Sequence, residues 1–370
     1  MATDRPQQDG PAGHAAPGTP LRIGLLSYRS KPHCGGQGVY IRHLSRELVN
    51  LGHSVEVLSG QPYPELDEGV RLTRVPSLDL YRPEDPFRTP RLSEYRDAID
   101  LMEVAMMWTG AFPEPLTFSL RAWRELRRRR GDFDILHDNQ VLAYGMLGIA
   151  RLGTPLVTSI HHPISRDRKI ELAACRGLAR LSKRRWYSFV RMQARVARHV
   201  GPVLTSAEYP RADICQDFGV PEGSVRIIPL GVDSRIFRPG RSAKVPGRIV
   251  AVASADSPLK GVAILLQAFA KLITDRDATL TVVSKPTPGG ATEKLVSELS
   301  LGDRVRFVSG LTDDELADLL ASAEIAVVPS LYEGFSLPAL EHMACGTPLI
   351  ASRVGALPEI ADQVAVIVSP

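Results

Sequence analysis

Residues 21–58 read LRIGLLSYRSKPHCGGQGVYIRHLSRELVNLGHSVEVL, and the order of their patterns decides the fold. Leu21–Ser27 is a strand-like apolar run that leads into the loop YRSKPHCGGQG. A helical pattern follows, with apolar positions at Val39, Leu44, Leu48 and Leu51. Gly52 supplies the helix stop, and Ser54–Leu58 is a second strand. Strand, helix and strand at this spacing form a βαβ unit, which implies a parallel sheet covered by helices.

The same alternation extends outwards. Strands are predicted at Val70–Val75, Asp134–His137, Pro155–Ile160, Val200–Thr205 and Val225–Ile228, with helices at Val141–Leu152, 167–200 and Glu208–Phe218. Residues 61–130, with scattered Pro and Arg, yield no further strand. The segment 229–247, rich in Pro and Gly and without a period, reads as a linker. The alternation then restarts with strands at Arg248–Ser254, Ala278–Ser284, Val305–Val308, Ile325–Pro329, Pro348–Ala351 and Ala365–Val368. The predicted fold class is α/β, with two doubly wound Rossmann-like domains facing a cleft. The first spans 21–228 and the second 248–370, and the Pro/Gly/Ala-rich residues 1–20 form a disordered lead-in. Ligands of such sheets bind in the crevice outside the carboxyl ends of the strands.

Composition agrees. A chain of 370 residues that is 44% hydrophobic can bury two cores and is not disordered throughout. Cys34, Cys175, Cys215 and Cys345 lie far apart with no CxxC pair, which fits a reduced, cytoplasmic compartment better than a disulfide framework or structural zinc. No apolar run reaches the ~18–20 residues of a membrane span. Charge is uneven: residues 1–200 hold 30 Lys and Arg against 21 Asp and Glu, whereas 201–370 hold 15 against 20. Residues 151–200 alone hold 12 basic and 2 acidic residues.

The sharpest motif is PSLYEGFSLPALEHMACGTPLIAS, residues 329–352. Pro338 suits the first turn of a helix, so Glu333 falls in the preceding loop and Glu341 in the opening turn. Backbone amides of Gly334, Phe335, Ser336 and Leu337 then lie at a helix N-terminus, where a phosphate is favoured. Glu341, near the same positive end, is expected to stay ionised and accept hydrogen bonds from a sugar diol. Lys260, at a strand-to-helix turn just before Gly261, is suited to a diphosphate leaving group. The glycines Gly35 and Gly36 let backbone approach a ligand closely. His161 and His162 follow a strand at the cleft edge, and His137, Asp138 and Asn139 follow another. His162 and these last three are assigned to acceptor binding.

The Glu333/Glu341 spacing resembles the Glu-x7-Glu motif of retaining glycosyltransferases of family 4, which have the two-Rossmann-domain fold called GT-B. The resemblance extends from Leu21 to about Ala365. It implies that Glu333 contacts the transferred sugar, Glu341 holds the nucleotide ribose, and Lys260 with Gly261 binds the diphosphate. His161 matches a histidine near the donor sugar, and Gly35 and Gly36 a paired-glycine loop near the donor phosphates. An Arg assisting the lysine is replaced here by Ser254, which weakens the cationic clamp. Family chains continue beyond the last strand with further helices, so a truncated C-terminus is expected.

Glu333, Lys260 and His161 are thus the expected catalytic residues of a retaining sugar transfer from a nucleoside diphosphate to a lipid-linked or small-molecule hydroxyl. Front-face displacement is the expected route, with no cofactor. The alternative is a sugar-nucleotide-binding protein with little turnover. The pairs Asp132/Asp134 and Asp275/Asp277 fall at the wrong edge of their sheets to hold a diphosphate-bound metal, so no catalytic metal is expected. The basic runs 124–130 and 182–195 sit in no nucleic-acid module, and nucleic acid is not an expected partner. With Trp186, Phe189 and Val190 as an apolar component, the second run is expected to meet an anionic membrane surface, placing the protein peripherally on its inner face.

Overall fold

The computed structural model describes residues 18–30, 36–82 and 84–370. In the N-terminal half, β1 (Arg22–Ser27), α1 (Gly36–Asn50), β2 (Ser54–Ser59) and β3 (Arg71–Arg74) are followed by α2 (Ala98–Trp108) and α3 (Glu114–Arg128). Then come β4 (Ile135–Asn139), α4 (Tyr144–Ala150), β5 (Leu156–Ser159), α5 (Ser165–Ala174), α6 (Gly177–Trp186), α7 (Phe189–Ala197), β6 (Val203–Thr205), α8 (Glu208–Phe218) and β7 (Val225–Ile227). These strands form one parallel sheet in the order β3-β2-β1-β4-β5-β6-β7. Order reverses between β1 and β4, and that switch point opens the crevice in which a ligand sits.

The C-terminal half contains β8 (Val245–Val252), α9 (Val262–Leu272), β9 (Thr279–Val283), α10 (Ala291–Glu298), β10 (Val305–Val308), α11 (Asp313–Ser322) and β11 (Ala323–Val328). After these come α12 (Leu337–Ala344), β12 (Leu349–Ser352), α13 (Leu357–Ala361) and β13 (Val366–Val368). Its parallel sheet runs β10-β9-β8-β11-β12-β13, with the switch between β8 and β11. The two-domain α/β reading holds.

Burial explains why these segments are strands. All but the first residue of β1 and of β2 are buried, as parallel strands covered on both faces require. Ile41, only 1% exposed, packs with Leu44 and Leu48 over Ile23, Leu25, Val55 and Val57. Leu51 was the wrong member of the predicted stripe: it lies beyond the last helical turn and is 73% exposed.

Three differences from the sequence reading have physical causes. Strand β8 starts at Val245, inside the expected linker. Phe237 of that linker is buried against Val250, Leu320 and Ala321, so the segment belongs to the second core. Residues 167–200 form three helices, not one or two, because the chain turns at Cys175–Arg176 and again at Tyr187–Ser188. Residues 61–130 contain the helix pair α2–α3, whose buried positions include Asp100, Glu103 and Glu114 and so break the apolar periodicity.

Candidate active site

The turn after β8 brings Lys260 to the loop after β11. Gly261 sits at φ 64°, and a Cβ there would lie 1.9 Å from the Pro329 carbonyl oxygen, so only glycine allows this approach. The Lys260 ammonium consequently donates to Glu333 Oε1 at 2.7 Å. Ser330 Oγ donates to the same oxygen at 2.6 Å, and Glu333 is buried. Cation, carboxylate and hydroxyl form one unit at the carboxyl end of the sheet.

Just beyond it, Ser336 caps α12 with φ 89° and ψ 81°, a strained conformation for a residue with a side chain. Its Oγ is buried without a hydrogen-bond partner among the described residues. The amides of Gly334, Phe335 and Ser336 donate to no backbone acceptor among those residues either. A helix N-terminus with free donors attracts negative charge. The Phe335 side chain turns away and packs against Ala207 and Ala356, so only its backbone is available to a ligand.

The facing wall comes from the N-terminal domain. A Cβ on Gly334 would lie 2.8 Å from the His161 carbonyl oxygen, which brings the two loops into contact across the domain boundary. His161 Nε2 is 2.8 Å from Asn139 Oδ1, and its ring packs edge-on against Tyr40 at 4.5 Å between centroids. Burial, with smaller contributions from His162 and His137, lowers its pKa to about 3, so the imidazole is neutral at physiological pH. His137 is buried with Nε2 2.7 Å from Ser159 Oγ, and burial brings it down to about 4. An interdomain cavity of about 810 Å³ is bordered by His137, His161, Leu337 and Glu341, among others.

Glu341 departs from expectation. It borders the cleft but is otherwise surrounded by protein, and burial, assisted by Asp313, pushes its carboxyl up to about 7. The favourable helix end does not offset the loss of water.

Comparison with known proteins now decides the class. Residues 34–235 match the model described as Glycosyltransferase Family 4, and residues 246–370 match Glycosyl transferases group 1. The chain is 60% identical to the MMP alpha-(1->4)-mannosyltransferase of Mycolicibacterium hassiacum, over 92% of this chain and 83% of that protein. The chain belongs to the GT-B glycosyltransferases. The transferase is 28% identical to a D-inositol 3-phosphate glycosyltransferase of Acidothermus cellulolyticus, covering 94% of this chain and 78% of the relative. In fold, it matches a sucrose-phosphate synthase from Thermosynechococcus elongatus with TM-score 0.68 at 23% identity, covering 95% of this chain and 86% of the other. WaaG, a glycosyltransferase involved in lipopolysaccharide biosynthesis, matches with TM-score 0.65 at 17% identity, over 94% and 86%.

The remaining expected residues of the glycosyltransferase differ in their surroundings. Gly35 is outside the described residues, and Gly36 opens α1, with open space where a side chain would stand. Ser254 is exposed after β8, its side chain without a hydrogen bond among the described residues. Asp138 must be withdrawn as an acceptor ligand. Strand alternation turns it away from the His137 face, and it is fully buried with its two oxygens accepting from the Val141 and Leu142 amides. Asn139 is also buried and acts on His161. His162 is half-buried, 3.3 Å from Asp167 and beside Tyr332.

The sequence reading missed Gln140 and Tyr40. Gln140 accepts from the His161 amide through Oε1 and donates to the His162 carbonyl through Nε2, both at 2.8 Å, fixing the paired-histidine loop from both sides. Among the Asp pairs, Asp134 binds Arg22, Asp132 binds Arg129 and Asp277 binds Arg304. Among the described residues, no group of three or more His, Cys, Asp or Glu side chains could hold a metal ion.

The apolar component of the second basic run is not available to a membrane. Trp186 packs among Tyr81, Phe87 and Phe112, while Phe189 and Val190 are buried, so the proposed apolar component belongs to the core. Among the described residues, no helix is long and apolar enough to cross a membrane.

Proposed function

We propose that this glycosyltransferase moves a hexose of the mannose type from a nucleoside-diphosphate sugar to an acceptor hydroxyl, with retention at the anomeric carbon. The observation that carries the reading is the Lys260–Glu333–Ser330 unit beside the free amides that open α12. Lys260 and those amides offset the charge that grows on the departing diphosphate, where fixed donors stabilise a transition state most. The Gly36 end of α1 and Ser254 complete the phosphate side. Glu341 accepts the ribose diol. Glu333 and neutral His161 orient the sugar. His137 and His162 flank the acceptor approach.

Glu333 is tied to Lys260 and Ser330, so a covalent glycosyl intermediate is not part of this reading. Displacement occurs on one face. The bond from the anomeric carbon to the diphosphate oxygen breaks, the bond to the acceptor oxygen forms, and the acceptor's proton passes to the leaving diphosphate. This is the retaining family 4 chemistry that the Glu333/Glu341 spacing resembles. Mannose is favoured by the 60% identity with the mannosyltransferase.

Radiolabelled UDP-, GDP- and ADP-sugars, each with a mannoside acceptor, test the reading. The expected result is transfer from one mannosyl donor, with an α-linked product by NMR. A β-linked product overturns retention. Binding without transfer or slow hydrolysis from any donor overturns the enzymatic reading.

A further inference from the structure

On the outer side of the N-terminal domain, away from the cleft, we propose a second binding site, for a phosphate-class oxyanion, in the cavity between α5, α6 and α7. The cavity, open to solvent on one side, measures about 260 Å³ and is bordered by Arg168, Leu181, Arg184, Arg185, Tyr187 and Arg191. None of these residues borders the interdomain cavity. Leu181, Arg184 and Arg185 are three or four apart on α6 and share one of its faces, and the turn at Tyr187–Ser188 brings Arg191 of α7 to the same pocket.

What marks this face is that its unpaired arginines converge on one cavity. Other arginines of the domain that lie beside a carboxylate are neutralised by it, as Arg22 is by Asp134, Arg42 by Asp67, Arg88 by Glu94 and Arg129 by Glu56. Among the described residues, Arg168, Arg184, Arg185 and Arg191 form no ion pair, and no carboxylate borders the pocket. The nearby Glu171 is engaged by Lys183 and by the Tyr187 hydroxyl. Arg185 is held by the carbonyl and hydroxyl of Thr109. Arg168 Nε is sealed from solvent without a hydrogen-bond partner among the described residues. Four like charges around one small cavity repel each other, and a multivalent oxyanion relieves that repulsion while filling the unused guanidinium donors. A phosphate suits both size and donor geometry. It can come as a free phosphorylated molecule or as a phospholipid headgroup.

Calorimetric titration with inorganic phosphate and flotation with vesicles, of pure phosphatidylcholine or containing phosphatidylglycerol, test the site in the full chain. Each is run on the wild type and on the Arg184→Gln/Arg191→Gln variant, since Arg184 and Arg191 have no ion-pair or side-chain hydrogen-bond partner among the described residues. The difference between proteins isolates this pocket from phosphate binding at the cleft. Phosphate affinity falling about tenfold or more in the variant supports the site, since two charge-assisted contacts are lost. If the variant also loses flotation with phosphatidylglycerol vesicles, the source is a lipid headgroup. Phosphate loss without wild-type flotation indicates a free ligand. Equal binding by both proteins in both assays, or binding by neither, overturns the proposal. Single Arg168→Gln serves as a second variant should the double one melt early.

Discussion

Lys260 and Glu333 neutralise each other until an anion competes for the ammonium. Lys260→Ala removes the cation from the phosphate side and is expected to lower kcat roughly 100- to 1,000-fold, the usual cost of one transition-state donor. Steady-state kinetics with an unchanged melting curve checks this. Glu341 gives a pH signature. Its carboxyl moves from an ordinary 4.5 to about 7 by burial, so the folded chain holds this proton more tightly than the unfolded one. Its contribution to stability is full below about 4.5 and fades as pH rises through about 7. Donor binding should behave in the opposite way, because a carboxylate accepts from both hydroxyls of a diol. Donor affinity is expected to rise between pH 6 and 8, and Glu341→Gln to flatten the curve. A wild-type affinity independent of pH contradicts this role. Lys260, Glu333 and Glu341 were legible in the sequence because charged residues beside Gly and Pro at a strand-to-helix turn have few structural uses. Gln140 and Tyr40 were not: Gln140 acts on residues 21 and 22 positions away, and Tyr40 on a ring across the sheet.

The helix pair α2–α3 shows why an element can escape sequence reading. Arg121 of α3 binds Asp100 and Glu103 of α2, and all three are largely withdrawn from water. Where a helix buries charge, counting apolar residues every three or four positions finds nothing. Arg121→Met leaves the two carboxylates facing each other with only Arg96 on one of them, and is expected to cost about 3–5 kcal/mol. Urea unfolding measures it, and a loss below about 1 kcal/mol contradicts the clamp. The turn before α9 offers a second test. Gly261→Ala meets the Pro329 carbonyl at positive φ, so it is expected to destabilise by about 2 kcal/mol or more and to separate Lys260 from Glu333. Strands fared better than helices in the sequence, since nearly uninterrupted apolar runs between turn residues leave little else to be.

Across the whole molecule, each domain completes the other. Helix α8 begins without a side-chain cap of its own. The Glu359 carboxylate of the second domain accepts from the Glu208 amide at 2.9 Å and the Tyr209 amide at 3.3 Å, standing in for that cap. Tyr332 donates to Asp213 at 3.1 Å, and Arg46 meets Asp233 at 3.0 Å. Glu359→Ala is expected to cost about 1 kcal/mol, as loss of an N-cap does, and to raise the donor KM as the domains part more readily. Thermal melting and donor titration together check it; a shift in neither removes this contact from the account of closure.

Phe237 lies in what the composition marked as a spacer, yet it is anchored in the second core with Val232 and Ile236. Anyone recombining halves of related sugar transferases therefore has a narrow choice of where to splice. A seam at Lys244 would leave those side chains from one parent facing a wall built by another. A seam between Ile228 and Gly231 carries the anchor along with its own socket, and hybrids cut there should fold where the others aggregate.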